Sequence, residues 1–465
     1  MSPSSSPHII ILGGGCSGTL AAVNLVRPAS RPPRITIIND HRPDGRGVAY
    51  GTRRMEHLLN VAARNMSAFP DQPDHFVNWL RTRSEYDLVP DEELRERFIP
   101  RMIYGDYLKS LAHHHLSEVT RIRGEAVDVK EDGTVVLADG AEIRADRIVL
   151  ATGNEAPADL PGAETLGGHP AWAGNPWLPW HENLPPDTGT IVLLGTGLTT
   201  VDAIITLRAL GWLGRIHAVS RHGWLPNAHF RGIEYPDFPP ADVDLAGLGL
   251  EKLAALMEHH CARLREMGAN PAIIVDKMRP HTQRVWQGFT LEEKKAFARH
   301  HAARWNVLRH RIAPEIHAQI ASAQLTGQLQ VHAAEIERVE GAGDRVRVLL
   351  SHGRQLEGDL VLNATGPQTR LAASKSVLLQ NLLRRGLVSP DEMEMGVRIQ
   401  SDHAVIDLEG RPSPLLFAMG PLLRGTYWET IAVPELRGQA RRVAESILGL
   451  GASATPQPVM MEFMI

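Results

Sequence analysis

Apolar and polar positions along the chain follow two different periods. Short apolar runs read as strands: Ile9-Ile10-Ile11-Leu12, Ile35-Thr36-Ile37-Ile38, Ile148-Val149-Leu150, Ile191-Val192-Leu193-Leu194 and Leu360-Val361-Leu362. Around 118–153 and again around 328–366 the runs shorten and alternate, with turn signals at Glu131-Asp132-Gly133, Asp139-Gly140 and Gly341-Ala342-Gly343-Asp344. Each of these stretches closes on Ala-Thr-Gly, at Ala151-Thr152-Gly153 and at Ala364-Thr365-Gly366. From about 241 to 325 the period becomes helical, with Leu253, Leu256, Met257, Cys261 and Leu264 on one stripe. A proline- and tryptophan-rich stretch, Pro157 to Pro186, discourages regular structure and reads as a crossing between domains.

Two of the apolar runs lead into glycine fingerprints. Gly13-Gly14-Gly15-Cys16-Ser17-Gly18 follows the first strand, and the helical Thr19 to Val26 follows it. Gly195-Thr196-Gly197 follows Thr190–Leu194, with Thr200 where a third glycine would stand. A single such motif is weak evidence. Two copies in the same order, each trailed by Ala-Thr-Gly, predict a protein that holds two dinucleotides face to face, usually a flavin and a nicotinamide. The expected fold is α/β, with two Rossmann-like dinucleotide-binding domains, β-meanders and a helical insertion at about 241–325. A discontinuous FAD domain over 1–160 and 356–465 would enclose a NAD(P) domain over 161–355.

The chemistry needed differs between the two sites. Gly13 and Gly15 permit a tight turn and close approach to a pyrophosphate, Gly18 lets the helix pack on the strand, and the helix N-terminus attracts phosphate. Asp40 ends the second strand, where a carboxylate accepts from ribose hydroxyls; being N-terminal, this site is assigned to FAD. Thr152, Gly153, Gly366 and Gly420 are expected at the cofactor sites. At the second site Gly195 and Gly197 form the turn, and Thr200 predicts a looser helix–strand contact. The second strand there, Arg215–His222, ends in Ser220 and Arg221 instead of a carboxylate, which predicts NADPH over NADH. Arg221 capping a strand at the surface is the bland alternative.

Composition narrows the classes. The chain has 465 residues, 43% hydrophobic and 22% charged, with a net charge of −4. It is long enough for two or three domains and carries no basic excess for nucleic acid or an anionic membrane. Its two cysteines, Cys16 and Cys261, form no dithiol beside the fingerprint, so a disulfide-reductase mechanism lacks its residues. The 22 histidines show no metal-ligand spacing, and no metal is expected. The polar start resembles no secretory signal and no apolar run reaches the ~18–20 residues of a membrane helix, so a soluble, cytoplasmic protein is expected.

Several blocks go beyond a generic dinucleotide fold: Gly45–Thr52, Leu58–Val61 with Asn65-Met66-Ser67, Pro100–Leu108, Ser220-Arg221-His222-Gly223, Trp305 with Arg309-His310-Arg311, Asn363–Pro367, and Trp428-Glu429-Thr430 leading to Val433-Pro434-Glu435. Together they resemble the FAD/NAD(P)-binding flavoprotein monooxygenase family that includes bacterial FAD-dependent urate hydroxylases and amino-acid N-hydroxylating enzymes. The resemblance implies that NAD(P)H reduces FAD and that a flavin C4a-hydroperoxide then hydroxylates a small polar, electron-rich molecule, with molecular oxygen as co-substrate. The compact length is more similar to the urate hydroxylases, so urate, converted to 5-hydroxyisourate in purine catabolism, is the first expectation. An amino-acid N-hydroxylase is the second. A flavin reductase, a quinone oxidoreductase or a non-catalytic redox-sensing flavoprotein stay open.

An anionic purine calls for planar cationic donors and an aromatic wall. Candidates are Arg101, His229, Arg231, Arg309, His310 and Arg424, with Tyr104, Trp305 or Trp428 as walls; Arg309, Arg424 and Trp428 lead. Near the C-terminus Gly420-Pro421 stands where such flavoproteins commonly have Gly-Asp, so the ribityl contact must come from elsewhere. The helix starting near Ala432 is expected to aim its N-terminus at the flavin. Oligomeric state is open.

Overall fold

The strand His8–Leu12 is buried at every position, which places its hydrogen-bonding edges and both faces inside the molecule. In the computed structural model, which describes residues 6–29, 31–40, 45–230 and 234–450, this strand lies near the middle of a six-stranded sheet. The order is Ala404–Ile406, Pro412–Ala418, Arg147–Leu150, His8–Leu12, Arg34–Asn39, Thr120–Arg123. All neighbours are parallel except the edge pair Ala404–Ile406 with Pro412–Ala418. The chain leaves His8–Leu12 toward one side and returns on the other at Arg147–Leu150, so the switch in strand order opens a crevice beyond Leu12. The helix Cys16–Val26 fills one face, packed between the sheet and the C-terminal helix Val433–Leu448.

A second parallel sheet repeats the plan with Leu329–Ala333, Arg215–Ser220, Thr190–Leu194, Leu360–Asn363 and Trp172–Ala173. Each sheet carries a three-stranded antiparallel meander, Ala126–Arg144 on the first and Ile336–Gly358 on the second. The α/β fold with two Rossmann-like units is as the sequence predicts.

The boundaries of the units need correction. The return to the first domain, expected at 356, falls inside the strand Arg354–Gly358, and Leu360–Asn363 still pairs with Thr190–Leu194. The second unit therefore continues through that strand, because a buried apolar run must find two neighbours. The crossing at Pro157–Pro186 also contributes Trp172–Ala173 as an edge strand of the second sheet. The helical insertion ends sooner than 325: Pro314–Leu325 packs Ile316, Ile320 and Ala323 against Ile204, Leu207 and Ile216, as the crossover helix of the second unit. The helices from Gly249–Glu266 to Ala302–Arg309 build a separate apolar core.

The two units are tied by polar contacts. Arg101 donates to the Leu58 carbonyl and pairs with Asp202 on the second nucleotide helix, and His57 is 2.9 Å from the Thr206 hydroxyl on the same helix. Among the described residues, no helix is long and apolar enough to cross a membrane.

One buried histidine makes stability depend on pH. His403 is 1% exposed; its Nδ1 donates to the Ala418 carbonyl at 3.1 Å while Nε2 has no partner. Burial pulls its pKa down to about 4. The unfolded chain protonates this ring near pH 6.5 and the folded chain does not, so stability is lost as pH falls from about 6.5 to 4, by up to about 3 kcal/mol. Its backbone, at φ +70°, lies in the left-handed region that suits asparagine. We expect His403→Asn to flatten the fall in melting temperature between pH 7 and 5; an unchanged slope would remove His403 as its source.

Candidate active site

At the first fingerprint the backbone leaves no room for side chains. A Cβ on Gly13 (φ +113°) would lie 2.3 Å from the Ala151 carbonyl oxygen, and one on Gly18 would lie 1.9 Å from the Gly13 carbonyl oxygen. The first contact locks the turn against the end of Arg147–Leu150; the second seats the helix on its own strand. Gly15 is the N-cap, with φ −80° and ψ −161°, so the free N–H groups of the first helical turn face the crevice. The segment from Gly45 closes over this turn. Gly45 donates to the Gly14 carbonyl at 2.7 Å, and Gly47 packs its Cα about where a Gly15 side chain would be, at 3.1 Å. Asn39 accepts from Gly14 N–H at 3.0 Å, leaving Asp40 as the next residue at the crevice. Gly420 (φ +75°) reaches the same place, with the Ser17 hydroxyl 3.1 Å from its would-be Cβ.

The Gly420 loop is pinned by residues the sequence reading missed. Gln439 accepts from the Gly420 N–H at 2.7 Å and donates to Thr430, whose hydroxyl in turn donates to the Gly420 carbonyl. Gln439 is buried on the apolar side of its helix, and a polar residue on that stripe was the available signal. The helix begins at Val433 after the Ala432 N-cap, as expected, with Pro434 in its first turn. Two side-chain oxygens of the first unit, Asn65 Oδ1 and Asn154 Oδ1, the latter just past the strand Arg147–Leu150, are buried without hydrogen-bond partners among the described residues. Buried polar atoms normally have partners, so a polar ligand fits here.

At the second fingerprint, a Cβ on Gly195 (φ +118°) would lie 2.3 Å from the Ala364 carbonyl oxygen, the same lock as at Gly13 and Ala151. Thr200 takes the place of the third glycine with a side-chain contact. Its buried hydroxyl donates to the Gly195 carbonyl at 2.7 Å, where Gly18 makes a bare backbone contact in the first unit. The helix is thus held by a hydrogen bond in place of close packing. Gly197 has open space around its would-be Cβ, so this helix end is uncovered. Ser220 is drawn inward, 2.8 Å from the Thr196 hydroxyl and accepting from Gly223 N–H at 3.1 Å. Arg221 is exposed at the strand end, beside the stacked pair His222–Trp224. Thr152 and Gly153 (φ +75°), and Gly366 (φ +96°), follow the strands that carry the two locks.

Between the first unit and the insertion lies a cavity of about 600 Å³. Asn60, Arg64 and Asn65 line it from the first unit, His229 and Glu315 from the second, and Asp276, Arg279, Arg309 and Arg311 from the insertion and its exit. Every lining arginine already holds an acid: Arg64 with Glu96, Arg97 with Glu93, Arg279 with Glu435 at 3.0 Å, Arg309 with Glu429 at 3.0 Å, and Arg311 with Asp276 at 2.7 Å. Burial would raise the Glu429 carboxyl, but Arg309, His310 and Arg279 outweigh it and hold it below the usual range. Burial likewise raises Asp276, and there it prevails over Arg311. Burial takes His229 and His310 down to about 4, so both rings are neutral at pH 7. His229 Nε2 donates to the Asn60 carbonyl at 2.9 Å, which leaves Nδ1 as an acceptor.

The predicted substrate residues therefore separate. Arg309 and Arg311 of one family-like block and the separate candidate His229 meet at this cavity, and Trp305 sits behind it, donating to Glu429 at 3.1 Å. Arg101 is a clamp between units, and Tyr104 is fully buried in an aromatic cluster with Tyr50 and Phe76. Trp428 turns into the core of the insertion, 5.0 Å from Trp286 and 5.1 Å from Phe297, not toward the arginines. Arg424 is half-buried with its guanidinium unpaired among the described residues, and burial lowers its pKa. Arg231 lies outside the described residues. Arg279 and Glu435 were missed because their pairing joins segments more than a hundred residues apart, and Asp276 because its partner Arg311 lies several helices further along the chain.

Residues 10–155 match a family model described as FAD-NAD(P)-binding. Solved structures resemble nearly the whole chain. An ornithine N-hydroxylase of Kutzneria sp. 744, with reduced FAD, NADP+ and L-ornithine, is 15% identical with a TM-score of 0.65, covering 96% of this chain and 99% of that one. The L-lysine 6-monooxygenase of Pseudomonas syringae is 17% identical with a TM-score of 0.66, covering 95% and 99%. The ornithine hydroxylase of Pseudomonas aeruginosa is 16% identical with a TM-score of 0.63, covering 96% and 99%. The chain shares their fold. No curated protein matches it by sequence.

The two third positions give a direct comparison. Gly18→Ala drives a methyl group into the Gly13 carbonyl and is expected to yield protein that retains no flavin. Thr200→Val loses one hydrogen bond, worth about 1 kcal/mol, and should retain flavin while raising the KM for NADPH about fivefold. Flavin content and steady-state kinetics check both; a yellow Gly18→Ala protein would contradict the assignment.

Proposed function

We propose that this chain is an FAD-dependent, NAD(P)H-consuming monooxygenase that N-hydroxylates a small amine carrying a carboxylate or second polar end. The carrying observation is the charge balance of the cavity between the units. With their partners, its arginines and Glu315 amount to five guanidinium groups and six carboxylates, and its histidine, His229, is neutral. An anionic purine would find every cation already paired; an ammonium group or a zwitterion finds acceptors and donors together. The urate reading loses its basis here, and the amines named for the similar structures support the alternative.

In this reading FAD occupies the first cradle and supplies the redox and oxygen chemistry when bound. Gly13, Gly15 and the first turn of Cys16–Val26 hold its pyrophosphate, Asp40 its ribose, and the Gly45–Tyr50 segment covers it. Asn65 and Asn154 offer unpaired oxygens to its polar edge. Gly195, Gly197 and the open end of Leu198–Ala209 hold the nicotinamide nucleotide, with Ser220 and Arg221 at a 2′-phosphate. The covered first cradle suits a cofactor that stays; the open second one suits a reductant that exchanges at each turnover. Arg309, locked by Glu429, and Arg311 orient the substrate's polar end, and His229 Nδ1 accepts a hydrogen bond from the neutral amine, which reacts through its free lone pair.

The test is oxygen uptake by the purified yellow protein with NADPH and a panel of lysine, ornithine, diamines and urate. Amines should stimulate uptake and yield a hydroxylamine labelled from isotopic oxygen; urate should not. Stimulation by urate, or unlabelled product, overturns the reading. Separately, Arg221→Ala should raise the KM for NADPH about tenfold, by loss of one charge-assisted contact, and leave that for NADH unchanged. Equal effects on both would remove the 2′-phosphate role.

A further inference from the structure

Behind the polar cavity, the helices of the insertion line a second one of about 420 Å³, open to solvent on one side. Its walls are apolar, formed by Leu253, Met257, Val275, Trp286, Phe297 and Trp428. Trp305 lines it, while Arg309, one helical turn on, lines the polar cavity. Protein cores are packed with few voids larger than a water molecule, and an apolar cavity of ~150 Å³ already stays dry and takes up benzene. A natural bundle with five helices of sequence at its disposal closes such a space unless something fills it.

The polar groups in the wall ask for nothing. The Trp286 indole donates to the Gly425 carbonyl at 2.8 Å, the Trp305 indole to Glu429, and the Thr282 hydroxyl to the Met278 carbonyl at 3.2 Å. The Cys261 thiol points to the Pro271 carbonyl. At the mouth, Glu258 is shared by Arg265 and Arg304, which leaves no bare anion there. Water entering the cavity would therefore lose hydrogen bonds, whereas a hydrocarbon would gain contacts.

We propose that this cavity is a binding site for an uncharged, hydrocarbon-rich small molecule, alkyl or aryl, on the order of ten carbon atoms. The site is separate from the amine cavity and stands whether or not the hydroxylase reading does.

Calorimetric titration of the flavin-loaded protein with 1-octanol and with naphthalene tests it. One saturable site per chain is expected, with a Kd on the order of 10–100 µM. Ala254→Phe and Val275→Phe, each placing a ring in the space, should weaken binding at least tenfold while flavin content and circular dichroism match the parent protein. Arg221→Ala should bind both probes as the parent does, which separates this outcome from failure at the nucleotide site. Absence of a saturable heat with either probe, or unchanged affinity in both filled variants, overturns the proposal.

Discussion

Two backbone contacts set the geometry on which the rest depends: Gly13 against the Ala151 carbonyl and Gly195 against the Ala364 carbonyl. In each unit the turn after the first strand presses on the end of a strand that arrives much later in the chain. The contact tolerates no Cβ, so it fixes how far the crevice opens and where the following helix begins. A helix N-terminus placed a few ångströms elsewhere would present its N–H groups to solvent or to the sheet instead of to a phosphate. Identical distances at the two locks, 2.3 Å, show that both units are built to the same tolerance although their third positions differ.

That difference explains how the units diverge without losing the plan. Gly18 brings helix and strand together by having no side chain; Thr200 keeps them apart by its own width and bridges the gap with a hydroxyl. The first solution is bare packing under the Gly45–Tyr50 cover, the second a hydrogen bond at an open helix end. Tight and loose nucleotide sites thus follow from one atom-level choice plus the presence of a covering segment.

The sequence carried the strands, both fingerprints and the fold because those depend on local periods and on glycines that local sterics require. It carried the cavity poorly. Arg309 and Arg311 stood out as cations, but their state is decided by Glu429 and Asp276, which fold back from distant segments. Trp428 stood out as an aromatic beside Glu429, yet these neighbours in one bend of the backbone point to opposite sides: Glu429 toward the arginines, Trp428 into the insertion. The boundary at 356 failed for a similar reason, since only sheet pairing, not composition, says that Leu360–Asn363 belongs to the second unit.

The paired arginines have an energetic logic of their own. Burying one guanidinium without a partner costs several kcal/mol, and pairing it recovers part of that without adding much net stability. What the pairs add is position. Arg279–Glu435 joins the insertion to the first turn of the C-terminal helix, Arg309–Glu429 joins it to the strip before that helix, and Arg101–Asp202 joins the first unit to the second nucleotide helix. Three elements that meet here are therefore held by directional contacts as well as by apolar ones, in which Leu58 and Phe98 of the first unit pack on the second unit's core and Trp428 packs on the insertion's. Apolar packing would let these bodies slide by small steps, whereas a fork of guanidinium hydrogen bonds accepts one arrangement. The cavity's shape is thus set by charge pairs, and its floor by the glycine locks.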